Sequence, residues 1–144
     1  MSLIEITGHA AALDGLFAKA EAARLKAYGR YSGFLVGAAI LDGDGITHIG
    51  CNVENAAFPI GTCAEAGAIA AMVLAGVTSF TDIAVVGGPA DGNLIVCPPC
   101  GGCRQRIREF GGLQARVHMR GADGVVVTKT LDELLPLSFG PEHL

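Results

Sequence analysis

A chain of 144 residues is long enough for one domain whose core needs neither metal nor disulfide staples, and it reads as a single domain over residues 1–144. Hydrophobic residues make up 51% and charged residues only 17%, which excludes intrinsic disorder and points to surface hidden in an oligomer. A net charge of −4, with ten basic residues in no sustained run, argues against nucleic-acid binding, and no apolar stretch nears the ~20 residues that span a bilayer.

The opening Met1-Ser2-Leu3-Ile4-Glu5 lacks the basic and apolar regions of a signal peptide, so a cytoplasmic protein is expected. Over residues 9–27, Leu13, Leu16, Phe17, Ala20 and Leu25 recur near helical spacing, and Gly29 closes that helix. Residues 34–41 read as a buried strand, 42–45 as a turn and 46–53 as the second strand of a hairpin. An irregular stretch with Pro59 leads to a helix over 64–74, stopped by Gly76. Residues 82–86 form a buried strand and 94–96 a short apolar run. Pro98 and Pro99 can continue neither a ladder nor a helix, so they deliver the chain to a third helix over 101–110. Strands over 115–119 and 125–128 follow, with His48 and His118 expected as solvent-facing alternates on their strands. Thr130-Leu131-Asp132-Glu133 matches a capping box and opens a short last helix. This order predicts an α/β fold, a three-layer α/β/α sandwich around a five-stranded mixed sheet.

Five cysteines in a reducing compartment argue for metal binding or catalysis over a disulfide framework, with ordinary buried thiols as the alternative. Cys100 and Cys103, three apart, can share one face at a helix start. Cys63, at the start of another helix, supplies a third sulfur if the two helices lie side by side. Three thiolates leave one position of a tetrahedral zinc open, the catalytic arrangement. Both cysteine clusters lie where partial positive charge at a helix N-terminus favours thiolate. Glu65, two residues past Cys63, stands well for proton transfer at such a site, against the alternative of an exposed glutamate favoured by the helix dipole. Cys97 reads as a strand-end thiol and Cys51 as core, while His9, His48, His118 and His143 show no ligand spacing.

Five segments together resemble the small, homotetrameric, nucleoside-type cytidine deaminases along nearly the whole chain. They are Tyr31-Ser32-Gly33-Phe34-Leu35-Val36-Gly37-Ala38-Ala39, Gly50-Cys51-Asn52-Val53-Glu54-Asn55-Ala56-Ala57-Phe58, Cys63-Ala64-Glu65, Pro99-Cys100-Gly101-Gly102-Cys103-Arg104-Gln105, and Glu133-Leu134-Leu135-Pro136-Leu137-Ser138-Phe139-Gly140. The resemblance implies one Zn²⁺ per subunit on Cys63, Cys100 and Cys103, with Glu65 as proton shuttle for hydrolytic deamination at C4 of cytidine and 2′-deoxycytidine. It further implies Asn52 and Glu54 on the ribose 3′-hydroxyl, Phe34 lining the base pocket and the Ala64 backbone N–H on the pyrimidine. Phe139 would enter a neighbouring subunit's site, and Ala57 and Phe58 would lie near a subunit boundary, so active sites would be shared in a homotetramer.

The chain departs from that pattern in places. Ala66 and Gly67 follow Glu65, where many members carry an arginine that offsets the thiolate charge; Arg104 and the helix N-termini are expected to compensate. Gly29-Arg30-Tyr31 and Gly33 also differ from the common residues. Competing readings are deamination of an aminopyrimidine antibiotic such as blasticidin S, a non-catalytic zinc scaffold, and a redox couple of Cys97 with Cys100. Asn52-Val53-Glu54-Asn55 favours a nucleoside sugar, and no aromatic-basic strip favours a nucleic-acid strand.

Overall fold

The computed structural model describes residues 9–144, so the reading of residues 1–5 lies outside it. Helix α1 (His9–Arg24) precedes the hairpin of β1 (Phe34–Asp42) and β2 (Thr47–Cys51). A 3-10 turn (Phe58–Ile60) leads to α2 (Ala64–Leu74), followed by β3 (Phe80–Pro89), α3 (Gly101–Gly111), β4 (Arg116–Arg120), β5 (Val126–Thr130), the one-turn α4 (Leu131–Leu134) and a second 3-10 turn (Pro141–His143). The strands lie in the order β2-β1-β3-β4-β5; β3 and β4 run parallel, joined through α3, and the other neighbours are antiparallel. This is the predicted five-stranded mixed sheet.

Alternation along the central strands divides the core in two. Ala38, Ile40, Ile83 and Val85 point to one face, where they meet Ala64, Ala68, Ile69 and Met72 of α2 and Ile107 of α3. Their neighbours Ala39, Ala84 and Val86 point to the other, against Leu13, Leu16, Phe17 and Ala20 of α1. Helices therefore cover both faces, the arrangement that buries central strands completely. At the last helix the capping box is present: Thr130 Oγ1 accepts from Glu133 N at 3.2 Å, and Thr130 N donates to the Glu133 carboxylate at 2.9 Å.

Two-sided cover overturns the expectation for the histidines. His118, paired in register with Ala84, lies on the α1 face and is fully buried. Its Nε2 is 2.7 Å from Asp82 Oδ2 and its Nδ1 2.8 Å from Thr128 Oγ1, while Arg116 donates twice to Asp82. His48 opposes Ile40 on the α2 face, also buried, with Nε2 2.8 Å from Asp42 Oδ2. Alternation assigns each histidine to a face, but a face is wet only where no layer covers it. Burial alone would raise the Asp82 carboxyl; the bonds from His118, Arg116 and Thr81 outweigh it and hold the group well below the usual range.

Three further expectations shift. Helix α1 ends at Arg24, short of residue 27: Lys26 N and Ala27 N turn to carbonyls three residues back, and Tyr28 N is drawn to Asn52 O, while the Arg24 guanidinium ties the helix end to Leu35 O, Gly88 O and Pro89 O. The apolar run 94–96 forms only one bridge, Ile95 to Gly87, so Cys97 sits in the loop beyond it rather than at a strand end. Cys51 ends β2 half-buried, at the margin of the core.

Candidate active site

Close backbone approach places the first helix of the site. A Cβ on Gly50 of β2 would stand 2.3 Å from Ala68 N and 2.5 Å from Ala64 O, so only glycine lets α2 lie this near the sheet. The chain between them is pinned by reciprocal bonds of 2.9 Å between Val53 and Thr62. Cys63 then falls at the N-cap of α2, with Ala64 and Glu65 in its first turn. On the other side of the cleft, Cys100 is the N-cap of α3 and Cys103 lies in its first turn. Arg104 donates to Pro99 O at 2.8 Å and Leu134 O at 2.6 Å, tying the approach to α3 onto α4. Its guanidinium is thus bonded to backbone carbonyls rather than to the thiols, so its expected role as their counter-charge has no direct contact behind it.

The three sulfurs converge. Cys63, Cys100 and Cys103 Sγ atoms all lie within 4.8 Å of one another, and the first two are 3.8 Å apart. A tetrahedron with metal–sulfur bonds of about 2.3 Å has edges of about 3.8 Å, so the donor set fits zinc. Burial pushes the Cys63 and Cys103 thiols up. Burial acts on Cys100 as well, but hydrogen bonds from the Cys103 backbone and from the neighbouring thiols outweigh it and hold that group below its ordinary value. Cys97 stands outside the cluster, half-buried and pushed up to about 11 chiefly by burial.

Glu65 is 3% exposed, which removes the reading of it as a surface glutamate. Burial raises its carboxyl above the usual carboxylate range, so the group holds a proton more tightly than an exposed glutamate does. Its neighbours in the cleft include Asn52, Glu54, Cys63, Ala64 and Cys100, around a volume of about 290 Å³. An adjoining hollow of about 310 Å³ shares Glu54, Phe58 and Gly61, and adds Tyr31 and Ser32. Asn52 accepts from Val36 N at 2.8 Å and donates to Phe34 O at 3.0 Å, leaving one amide N–H. Glu54 is gripped through Oε1 by Tyr31 N and Ser32 N, at 2.8 and 3.0 Å, and through Oε2 by the Ser32 hydroxyl. These bonds, that of Ser32 foremost, lower the Glu54 carboxyl and keep it anionic.

Phe34, Ala57 and Phe139 do not line the cleft within one chain. The Phe34 ring packs beside Gly87 near Cys97. Ala57 N donates to Asn55 Oδ1, just ahead of Phe58, which borders both hollows. Phe139 is 57% exposed and stacked on His143, on a C-terminal segment held to α3 by Gln105 and Arg108. Ser32 was legible only as part of a motif, because its service to Glu54 joins residues 22 apart in sequence.

A family model described as the cytidine and deoxycytidylate deaminase zinc-binding region matches residues 12–119. The chain belongs to this family. Its relatives include a cytidine deaminase of Sporosarcina psychrophila, 40% identical over 135 residues, covering 92% of this chain and 94% of that one. The cytidine deaminase of Mycobacterium tuberculosis strain H37Rv is 39% identical over 118 residues, 82% of each chain. Among solved structures, cytidine deaminase from Burkholderia pseudomallei superposes with a TM-score of 0.80 at 40% identity, covering 93% of this chain and all of that one.

Proposed function

We propose that Cys63, Cys100 and Cys103 ligate the zinc of a hydrolytic cytidine deaminase in which Glu65 carries the protons. The enzyme is zinc-dependent and converts cytidine to uridine and ammonia; 2′-deoxycytidine is a second substrate in this reading. The carrying observation is the convergence of three thiols and one buried carboxyl where two helices begin. When bound, zinc supplies the Lewis acidity that makes water a competent nucleophile at neutral pH.

The remaining work falls to side chains. Glu65 takes a proton from the attacking water and delivers it to N3 of the base, then moves the proton of the new C4 hydroxyl to the amino group, which leaves as ammonia; burial raises the carboxyl's affinity for the proton it carries. The Ala64 N–H, in the first turn of α2, holds the pyrimidine. Glu54, fixed as an anion by Ser32, accepts from the ribose 3′-hydroxyl, and the free N–H of Asn52 donates to the same oxygen. Phe34, whose ring packs beside Gly87 near the cleft residue Cys97, borders the base from the edge of the cleft in this reading. In a homotetramer, Phe139 of a neighbouring subunit closes the site, with Ala57 and Phe58 at the boundary; the exposure of Phe58 and Phe139 in a single chain supports this. The chain acts as one domain over residues 1–144 and works in the cytoplasm; among the described residues no helix is long and apolar enough to cross a membrane.

Loss of cytidine absorbance on adding zinc-loaded protein tests the reaction. Glu65→Gln should keep the metal and lower kcat by about 10²–10⁴-fold, the usual scale for a positioned acid–base group. An unchanged kcat would remove Glu65 from the chemistry.

A further inference from the structure

Three thiolates outweigh the charge of a divalent ion by one unit, and Glu65 brings another acidic group to the same cleft. Such an excess in partly buried surroundings is costly unless a cation stands close. Ala66 has no charge to offer and Arg104 is held by carbonyl oxygens. Among the described residues, a further cation lies one helical turn past the last ligand. Arg106 lies in α3 three residues beyond Cys103 and four beyond Gly102, spacings that share a helix face.

Its guanidinium Nη1 passes 3.2 Å from the point where a Cβ on Gly102 would stand, and the same point is 4.0 Å from Cys100 Sγ. The side chain therefore folds back over the glycine between the two α3 cysteines, into space that a larger residue at 102 would contest. The Arg106 charge also acts on the Glu65 carboxylate, in the direction that favours the anion. Arg106 thus borders the excess negative charge from the α3 side.

We propose that Arg106 is a positioning residue that offsets the excess negative charge of the Cys63–Cys100–Cys103 zinc site, supplying from α3 the cation that Ala66 lacks on α2. The inference rests on the zinc assignment above. Metal binding to neutral thiols releases protons and leaves the site more negative, so a nearby cation favours the loaded state.

The test is zinc affinity, measured by competition with a chromogenic chelator. The proteins compared are the parent, Arg106→Gln, Arg106→Lys, and Ala66→Arg combined with Arg106→Gln. Removing the charge should weaken zinc by about three- to tenfold, the scale of one exposed charge acting over several ångströms. The lysine variant and the relocated arginine should each recover most of that loss, and the differences should shrink in about 1 M salt. Unchanged affinity in Arg106→Gln at low salt overturns the inference. So does a loss that neither charge-restoring variant repairs, because packing rather than charge is then responsible. A parent that binds far less than one zinc per chain overturns the zinc assignment itself, and this inference with it.

Discussion

Gly50 is the contact on which the geometry of the site turns. Replacing it with alanine would set a Cβ 2.3 Å from Ala68 N and 2.5 Å from Ala64 O, both backbone atoms of α2 that no rotamer change can move. Ordinary contact begins near 3.4 Å, so the helix must withdraw by about 1 Å. Overpacking of this kind costs about 1–3 kcal/mol, which for a chain of this size lowers Tm by roughly 3–10 °C. The same displacement carries Cys63 and Glu65 away from Cys100 and Cys103. A misplacement of about 1 Å costs roughly 10²-fold in rate. Gly67 provides the control from the facing helix: a Cβ there meets Gly50 Cα at 3.5 Å and Cys51 O at 3.6 Å, ordinary contacts. Gly67→Ala should therefore keep kcat and hold or raise Tm, since glycine inside a helix is less favourable than alanine. Thermal melts, zinc stoichiometry and kcat/KM on cytidine distinguish the pair. A Gly50→Ala protein with the parent's Tm, zinc content and kcat/KM would refute the claim that this close approach sets the site.

Ser32→Ala removes the hydroxyl from Glu54 but leaves both backbone N–H bonds, so KM should rise several-fold with kcat nearly unchanged; a fall in kcat at constant KM would argue against a sugar-holding role. Stripping zinc with a chelator should abolish turnover, and stoichiometric zinc should restore it, as titrated activity will report. Asp82→Asn breaks a buried pair with His118 and should cost on the order of 3 kcal/mol at pH 7. Because the folded Asp82 carboxyl lies below its ordinary 3.8, its contribution is present above that value and is lost as pH falls through the folded pKa. The denaturation midpoints of parent and variant should therefore begin to approach each other below about pH 4 and keep narrowing in stronger acid, and a difference that stays constant into strong acid would contradict the assignment.

Local grammar carried much of this protein. The span of α2, Ala64–Leu74, follows from good helix formers closed by Gly76, and the Thr130–Glu133 capping box is a contact three residues long that sequence spacing specifies directly. The Cys100–Cys103 pair is local in the same sense. The meeting of Cys63 with Cys100 spans 37 residues and exists only because α2 and α3 begin side by side over one sheet face. His48 and His118 lie on strands as expected, but their burial was decided by helices packed on both faces, which period-two alternation within a strand does not encode. Arg104 shows the same division: sequence placed it beside the last cysteine, and only tertiary structure turned it to Pro99 O and Leu134 O, while the approach of Arg106 to Gly102 was signalled by no motif. Short-range propensity and spacing are properties of the chain, whereas burial, counter-charge and metal geometry arise between segments that are distant along it.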